Sequence, residues 1–129
     1  MSIVDYFDNR LTNCKHRYQG STKKVLCVCS AGLLRSPTAA EVLSKDPYSY
    51  NTRSAGLVKE YALIPVDRVL LEWADEIVVM DQLQASNIKI MLEESKTIIN
   101  LCIPDRYKFR DSELINKIRE RYDKYLATL

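Results

Sequence analysis

The chain has 129 residues, of which 47% are hydrophobic and 28% charged, an ordinary composition for one globular domain. Its net charge of +2 is too small to indicate nucleic-acid binding. No apolar run reaches the roughly 20 residues that span a bilayer, and the N-terminus lacks the charged-then-apolar order of a secretion signal. We therefore expect a cytoplasmic protein with reduced cysteines and no nucleic-acid or membrane partner.

The hydrophobic pattern predicts strands alternating with helices after an N-terminal helix over residues 2–19. We assign residues 1–22 to that amphipathic helix and its linker, and residues 23–129 to one α/β domain. Strands are predicted at 25–29, 50–55, 76–80 and 97–102. Helices are predicted at 37–44, from Pro65, over 82–93 and from about Asp111. The N-terminal helix is expected either to pack on the core or to bind a partner or a second copy of the chain.

This alternation indicates a small doubly wound parallel sheet of four strands with helices on both faces, plus the extra N-terminal helix. Ligands of such sheets bind beyond the C-terminal ends of the strands. The loop CSAGLLR follows the first strand and PDRY follows the fourth, about 70 residues later. We therefore expect these two segments to meet at one rim of the sheet.

The cysteines and the single histidine form no metal-binding pattern. Cys14, Cys27, Cys29 and Cys102 include no C-x-x-C pair, and His16 is the only histidine. We therefore expect neither a metal nor a cofactor. Any activated cysteine away from His16 must be activated by groups other than histidine.

The loop from Cys29 to Ser36 leaves a strand and enters a helix N-terminus, an arrangement that lets backbone N–H groups face one anion. The planar fork of Arg35 suits two phosphate oxygens. The same positive groups would favour a Cys29 thiolate, to which Ser36 could donate a hydrogen bond. The alternative is a core cysteine with an arginine nearby by chance. The candidate anion-binding residues between the cysteine and the arginine are Ser30, Ala31, Gly32, Leu33 and Leu34.

Asp105, in the loop after the fourth strand, is the candidate acid and base. A cysteine that attacks a phosphate ester forms a thiophosphoryl intermediate. The leaving oxygen then needs a proton, and a water later needs a base. The alternative interpretation is a simple Pro-Asp turn residue.

The stretch VLCVCSAGLLRSPTAAEVL resembles the active-site loop of low-molecular-weight protein tyrosine phosphatases, which is C-x5-R-S after the first strand. RSAGL, ADEIVVMD and IPDRY resemble that family's second-strand end, third strand and acid loop, in order. The resemblance implies metal-independent hydrolysis of phosphotyrosine proteins or small aryl phosphates through a phosphocysteine. It implies that Cys29 is the nucleophile, Arg35 binds phosphate, Ser36 supports the thiolate and Asp105 is acid, then base. Phosphate, vanadate or sulfate would bind in the loop.

Several positions depart from the family pattern. Gly32 stands where the family usually has Asn, and Leu34 where it often has a second, protective cysteine. The region between Gly56 and Trp73 looks shorter than is usual in this family, which predicts a more open substrate site. Two aromatic residues are possible substrate contacts: Tyr107, which would flank the phosphotyrosine ring or be a surface aromatic, and Tyr61, a possible cleft residue.

Other functions are compatible with parts of the pattern. CSAG after a first strand also resembles the IIB components of sugar phosphotransferase systems, which carry phosphate on cysteine. A non-catalytic phosphoprotein-binding module is a third possibility, and an arsenate reductase would need further cysteines. Cys27 is interpreted as a packing residue on the strand face opposite Cys29. The basic residues within 103–124 form either a positive field that attracts anions or a solvated helix face.

Overall fold

A computed structural model describes residues 22–30, 35–58, 62 and 64–129. The strands β1 to β4 span Lys24–Cys29, Asn51–Gly56, Glu76–Val79 and Thr97–Asn100. The helices α1 to α4 span Arg35–Leu43, Arg68–Trp73, Gln82–Met91 and Ser112–Leu126. The predicted N-terminal helix, with its proposed partner role, lies outside the described residues.

The four strands form one parallel sheet in the order β2-β1-β3-β4, as predicted. β1 lies in the centre, with Cys29 opposite Gly56 of β2 and Val28 opposite Val79 of β3. The chain continues from β1 into α1 and from β3 into α3, and these two helices pack on opposite faces of the sheet. The end of β1 therefore lies at the switch point where doubly wound sheets bind ligands.

Helices cover both faces of the sheet, which confirms the doubly wound prediction for the described residues. α1 and α4 pack on one face, where Val25, Cys27 and Cys29 are buried. α2 and α3 pack on the other face against Leu26 and Val28. Side chains alternate along a strand with a period of two. The expectation that Cys27 faces away from Cys29 is therefore wrong, because both lie on the α1 and α4 face.

The predicted start of the helix at Pro65 is also wrong. Pro65 does not begin a helix but forms a parallel bridge with Gly56, because the chain returns to the end of β2 before α2. The N-cap of α2 is Asp67, whose side chain accepts a hydrogen bond from the Leu70 N–H at 2.9 Å. None of the helices described is long and apolar enough to cross a membrane.

Candidate active site

Cys29 is the last residue of β1, and its side chain contacts the first turn of α1. Its Sγ lies 3.2 Å from Oγ of Ser36 and is the hydrogen-bond donor as a thiol. Ser36 Oγ in turn lies 3.5 Å from the carbonyl oxygen of Ala55 in β2, to which it donates. In a thiolate the serine hydroxyl can rotate and donate to sulfur instead. The N-terminal end of α1 also favours negative charge. Ser36 can thus serve both protonation states of Cys29.

α1 begins at Arg35, two residues before the predicted start. Pro37 is therefore its third residue rather than its first. Proline is tolerated there because the N–H groups of a first helical turn have no partner within the helix. As a consequence, Arg35 and Ser36 belong to the helix and are held by its backbone.

Arg35 joins α1 to the loop after β4. Its guanidinium is buried, and Nη1 donates to the carbonyl oxygen of Ile103 at 2.7 Å. Its Nε lies 3.6 Å from Oδ1 of Asp105, too far for a hydrogen bond, and no described residue accepts from it. The prediction that the two rim segments meet is confirmed. A buried cationic N–H that lacks an acceptor favours an anionic oxygen as its partner.

Asp105 has its side chain 65% exposed beside the almost fully buried Arg35. The Asp105 carboxyl is therefore open to water at the rim of the sheet. The loop itself is anchored to α1 a few residues further on, where the Arg110 N–H donates to Oγ1 of Thr38 at 3.0 Å. The loop after β4 is therefore tied to α1 at two points.

Tyr107 is only 4% exposed and belongs to the core cluster under α1 and α4. Its hydroxyl donates to Oε1 of Glu113 at 3.3 Å and accepts from Nη2 of Arg106 at 3.0 Å. The interpretation of Tyr107 as a surface aromatic is wrong, because the ring packs inward against the core. Its role in flanking a substrate stays a prediction, and Phe109 in the same loop is the more exposed ring, at 45%.

Three of the seven basic residues within 103–124 have an acidic partner among the described residues, namely Arg106, Arg110 and Arg121. Nε of Arg110 lies 2.7 Å from Oε2 of Glu41, and Nη2 of Arg106 lies 3.6 Å from Oε1 of Glu113. Burial alone would raise the pKa of Glu41, but hydrogen bonds from Arg110 and Lys45 outweigh it and hold that pKa below its usual value. These pairs favour the solvated-face interpretation for Arg106 and Arg110, and the two interpretations stay open for the other basic residues.

Gln84 is a buried residue near the site that the sequence patterns did not indicate. Its Nε2 donates to Oγ of Ser30 at 3.3 Å, and its Oε1 accepts from the N–H of Met80 at 2.8 Å. An available signal was the D-x-x-Q spacing from Asp81, which resembles a helix capping box. The Asp81 side chain does accept from the Gln84 N–H, at 2.8 Å.

Several predicted site residues lie outside the described residues: Ala31, Gly32, Leu33, Leu34 and Tyr61. Ser30 is described, and its carbonyl oxygen accepts from the Val58 N–H at 2.8 Å. Of the other cysteines, Cys102 is exposed and Cys27 buried, and neither forms a disulfide among the described residues. No group of three histidine, cysteine or acidic side chains in the described ranges could hold a metal ion.

The fold and the rim site define an α/β protein with a cysteine at the carboxyl end of a central parallel strand. Vibrio vulnificus Wzb in complex with benzylphosphonate superposes with a TM-score of 0.65 at 20% identity, covering 84% of this chain and 100% of the other. The low-molecular-weight protein tyrosine phosphatase from Streptococcus pyogenes gives 0.62 at 20% identity, covering 83% and 93%. The chain thus has the fold of the low-molecular-weight tyrosine phosphatases.

The same fold also occurs in a protein with a different activity. The thioredoxin-dependent arsenate reductase from Corynebacterium glutamicum superposes with a TM-score of 0.56 at 17% identity, covering 88% of this chain and 66% of the other. No family model and no curated protein sequence matches the chain. The likeness therefore concerns the fold, and the activity has to be argued from the site.

Proposed function

We propose that this protein is a phosphatase that hydrolyses aryl phosphate monoesters, including phosphotyrosine in proteins, through a phosphocysteine at Cys29. One observation carries the proposal. Arg35 lies directly before Ser36, the partner of the Cys29 thiol, and its side chain extends to Ile103 and Asp105. A nucleophile, an anion-binding fork and a proton donor are thereby available at one rim of the sheet.

In the first step the Cys29 thiolate attacks phosphorus in line with the aryl oxygen. The S–P bond forms as the P–O bond to the aryl group breaks, and Asp105 gives its proton to the leaving phenolate. Arg35 directs its Nε towards the equatorial phosphate oxygens and stabilises their charge in the transition state. The Ser36 hydroxyl donates to the thiolate before attack, which orients the sulfur.

In the second step Asp105, now a carboxylate, removes a proton from a water that attacks phosphorus. The S–P bond breaks, inorganic phosphate leaves, and Cys29 returns as a thiolate held by Ser36. Arg35 and the backbone N–H groups of residues 30–34 bind the phosphate oxygens in both steps, so neither step uses a metal. A reduced Cys29 is required throughout, which suits the cytoplasm.

A phenol leaving group suits this site because phenolate is a much weaker base than an alkoxide and leaves readily with a proton from Asp105. The ligand bound to Vibrio vulnificus Wzb, benzylphosphonate, has an aromatic ring close to its phosphonate. The same chemistry is proposed for this chain. Tyr107 stays the proposed neighbour of the substrate ring.

The decisive experiment is hydrolysis of p-nitrophenyl phosphate by the full chain. We expect turnover that vanadate inhibits, no turnover in Cys29→Ser, and a fall of about 10²-fold or more in kcat for Asp105→Asn. Cys102→Ser is the matched control, since that cysteine is exposed and its Sγ makes only a weak contact, with the Asn100 carbonyl oxygen at 3.9 Å. It should keep wild-type activity. An inactive wild-type protein, or an active Cys29→Ser variant, would refute the proposal.

The alternatives give different outcomes. A phosphocarrier accepts phosphate on Cys29 from a donor protein without releasing it, and makes no use of Arg35 and Asp105. A binding module binds phosphoproteins without turnover. An arsenate reductase reduces arsenate with thioredoxin and depends on further cysteines, so Cys14→Ser or Cys102→Ser would abolish that reaction. The fold shared with an arsenate reductase makes this assay a necessary companion.

A further inference from the structure

Gln84 lies in the first turn of α3, and its side chain bridges two strand ends. The residue is only 2% exposed. Its Oε1 accepts from the N–H of Met80, which directly follows β3, at 2.8 Å. A backbone N–H can only donate, so the amide oxygen must face Met80 and the amide nitrogen must face Ser30. The orientation of the side-chain amide is therefore determined by its partners.

Ser30, the other end of the bridge, is the residue directly after Cys29. Gln84 Nε2 donates to its hydroxyl at 3.3 Å. The Ser30 carbonyl oxygen accepts from the Val58 N–H at 2.8 Å, on the side of β2. Ser30 is thus held from both neighbours of β1, through its backbone on one side and through Gln84 on the other.

The position of Gln84 is itself fixed by the start of α3. Asp81 is the N-cap of this helix, and its side chain accepts from the Gln84 N–H at 2.8 Å. Gln84 is buried, so its rotamer freedom is already lost on folding and costs nothing when a ligand binds. The contact with Ser30 is preorganised, as a transition-state site requires.

We propose that Gln84 is a positioning residue for the Cys29 site. It holds Ser30, the residue directly after the nucleophile, in one orientation. Gln84 acts through Ser30 and does not touch the reacting atoms. The proposal rests on the proposed function for its kinetic part, but its effect on anion binding can be measured separately.

The test uses Gln84→Met, which keeps the side-chain length and removes both hydrogen bonds. We expect the dissociation constant of inorganic phosphate to rise about 3- to 10-fold and kcat/KM for p-nitrophenyl phosphate to fall about 10-fold, the scale of a neutral hydrogen bond. Ser30→Ala removes only the loop end of the bridge. Because Gln84 acts through Ser30, the double variant should be no more than about 2-fold worse than Gln84→Met.

Thr52→Val is the matched control. Its hydroxyl is fully buried and donates to the carbonyl oxygen of Ala40 at 2.6 Å, away from Ser30. This isosteric change also deletes a buried hydrogen bond, so it should lower Tm while leaving phosphate affinity and kcat/KM within 2-fold. Equal kinetic losses in Thr52→Val and Gln84→Met would show a merely structural effect and overturn the proposal.

The other possible results of these measurements also support or overturn the proposal for Gln84. Unchanged phosphate affinity in Gln84→Met, or losses that add to those of Ser30→Ala, would overturn the proposal. If the wild-type protein binds phosphate but has no turnover, the proposed function fails, and the phosphate affinities alone test Gln84. A wild type that binds no phosphate overturns both. If Gln84→Met does not fold, Ser30→Ala must reproduce the expected loss by itself, and an unaffected Ser30→Ala overturns the proposal.

Discussion

Arg35→Lys tests whether the planar guanidinium, rather than positive charge alone, organises the site. Arg35 Nη1 donates to the Ile103 carbonyl oxygen at 2.7 Å, while Nε is buried with no acceptor among the described residues. The fork can therefore hold the loop after β4 and an anion at the same time. Lysine keeps the charge but has a single nitrogen, so it cannot satisfy both partners with this geometry.

The expected magnitude follows from the contacts that are lost. One charge-assisted hydrogen bond to the transition state is worth about 1.5–3 kcal/mol, which corresponds to a rate factor of roughly 10 to 150. Leaving the buried Ile103 carbonyl without its donor removes a further ~1–3 kcal/mol from the free energy of unfolding. We therefore expect Arg35→Lys to lower kcat/KM by about 10- to 100-fold and Tm by several degrees.

The assay measures kcat and KM for p-nitrophenyl phosphate, phosphate affinity and Tm, with kinetics well below the transition temperature. Arg121→Lys is the matched control, because Arg121 Nη1 donates to the carbonyl oxygens of Leu101 and Cys102 at 3.1 Å each. It holds the same loop from α4, so Arg121→Lys should lower Tm with little change in kcat/KM. The reasoning is refuted if Arg35→Lys stays within 3-fold of wild type, or if Arg121→Lys loses as much activity.

Two further predictions concern buried groups away from the site. Tyr122 is buried and donates to Glu76 at 2.7 Å, and burial, with hydrogen bonds to Tyr50 and Glu76, raises its pKa above the ordinary value near 10. Its stabilisation is therefore complete below about pH 10 and declines above it by about 1.4 kcal/mol per pH unit. In denaturant titrations Tyr122→Phe should lose less stability than wild type above pH 10, and parallel curves would contradict this. The second prediction concerns Arg53, whose guanidinium carbon lies 3.8 Å from the centre of the Trp73 ring. Its Nε and Nη1 are buried and have no acceptor among the described residues. Burial lowers the pKa of Arg53 to about 10. Arg53→Met should raise Tm at pH 7 by several degrees, because removing an unpaired buried charge outweighs a cation–π contact of about 2 kcal/mol; a lower Tm would disprove it.

The sequence predicted β1 and β3 well because these two strands have distinct apolar runs. The start and end of β1 agree with the prediction to one residue, since a central strand covered on both faces must be apolar throughout. The start of α2 was missed because two local signals compete. Pro65 is a typical first helical residue, but Asp67 has the capping side chain, and pairing of Pro65 with Gly56 decides between them.

Burial at the rim could not be predicted from local sequence. Tyr107 lies in a polar, charged loop, and a surface position was a reasonable expectation. Its ring is buried because α4 and α1 pack over it. In the same way, Arg110 of the loop is paired with Glu41 of α1, 69 residues away.

The sequence alone determined the components of the site: Cys29 at the end of an apolar strand, Arg35 and Ser36 at the start of a helix, and Asp105 after the last strand. Short spacings and local propensities specify these features. Only the tertiary structure decided how they are held. Arg35 and Ile103 are 68 residues apart, and Gln84 and Ser30 are 54 apart. Such contacts depend on strand order and register, which arise from packing of the whole sheet rather than from any local pattern.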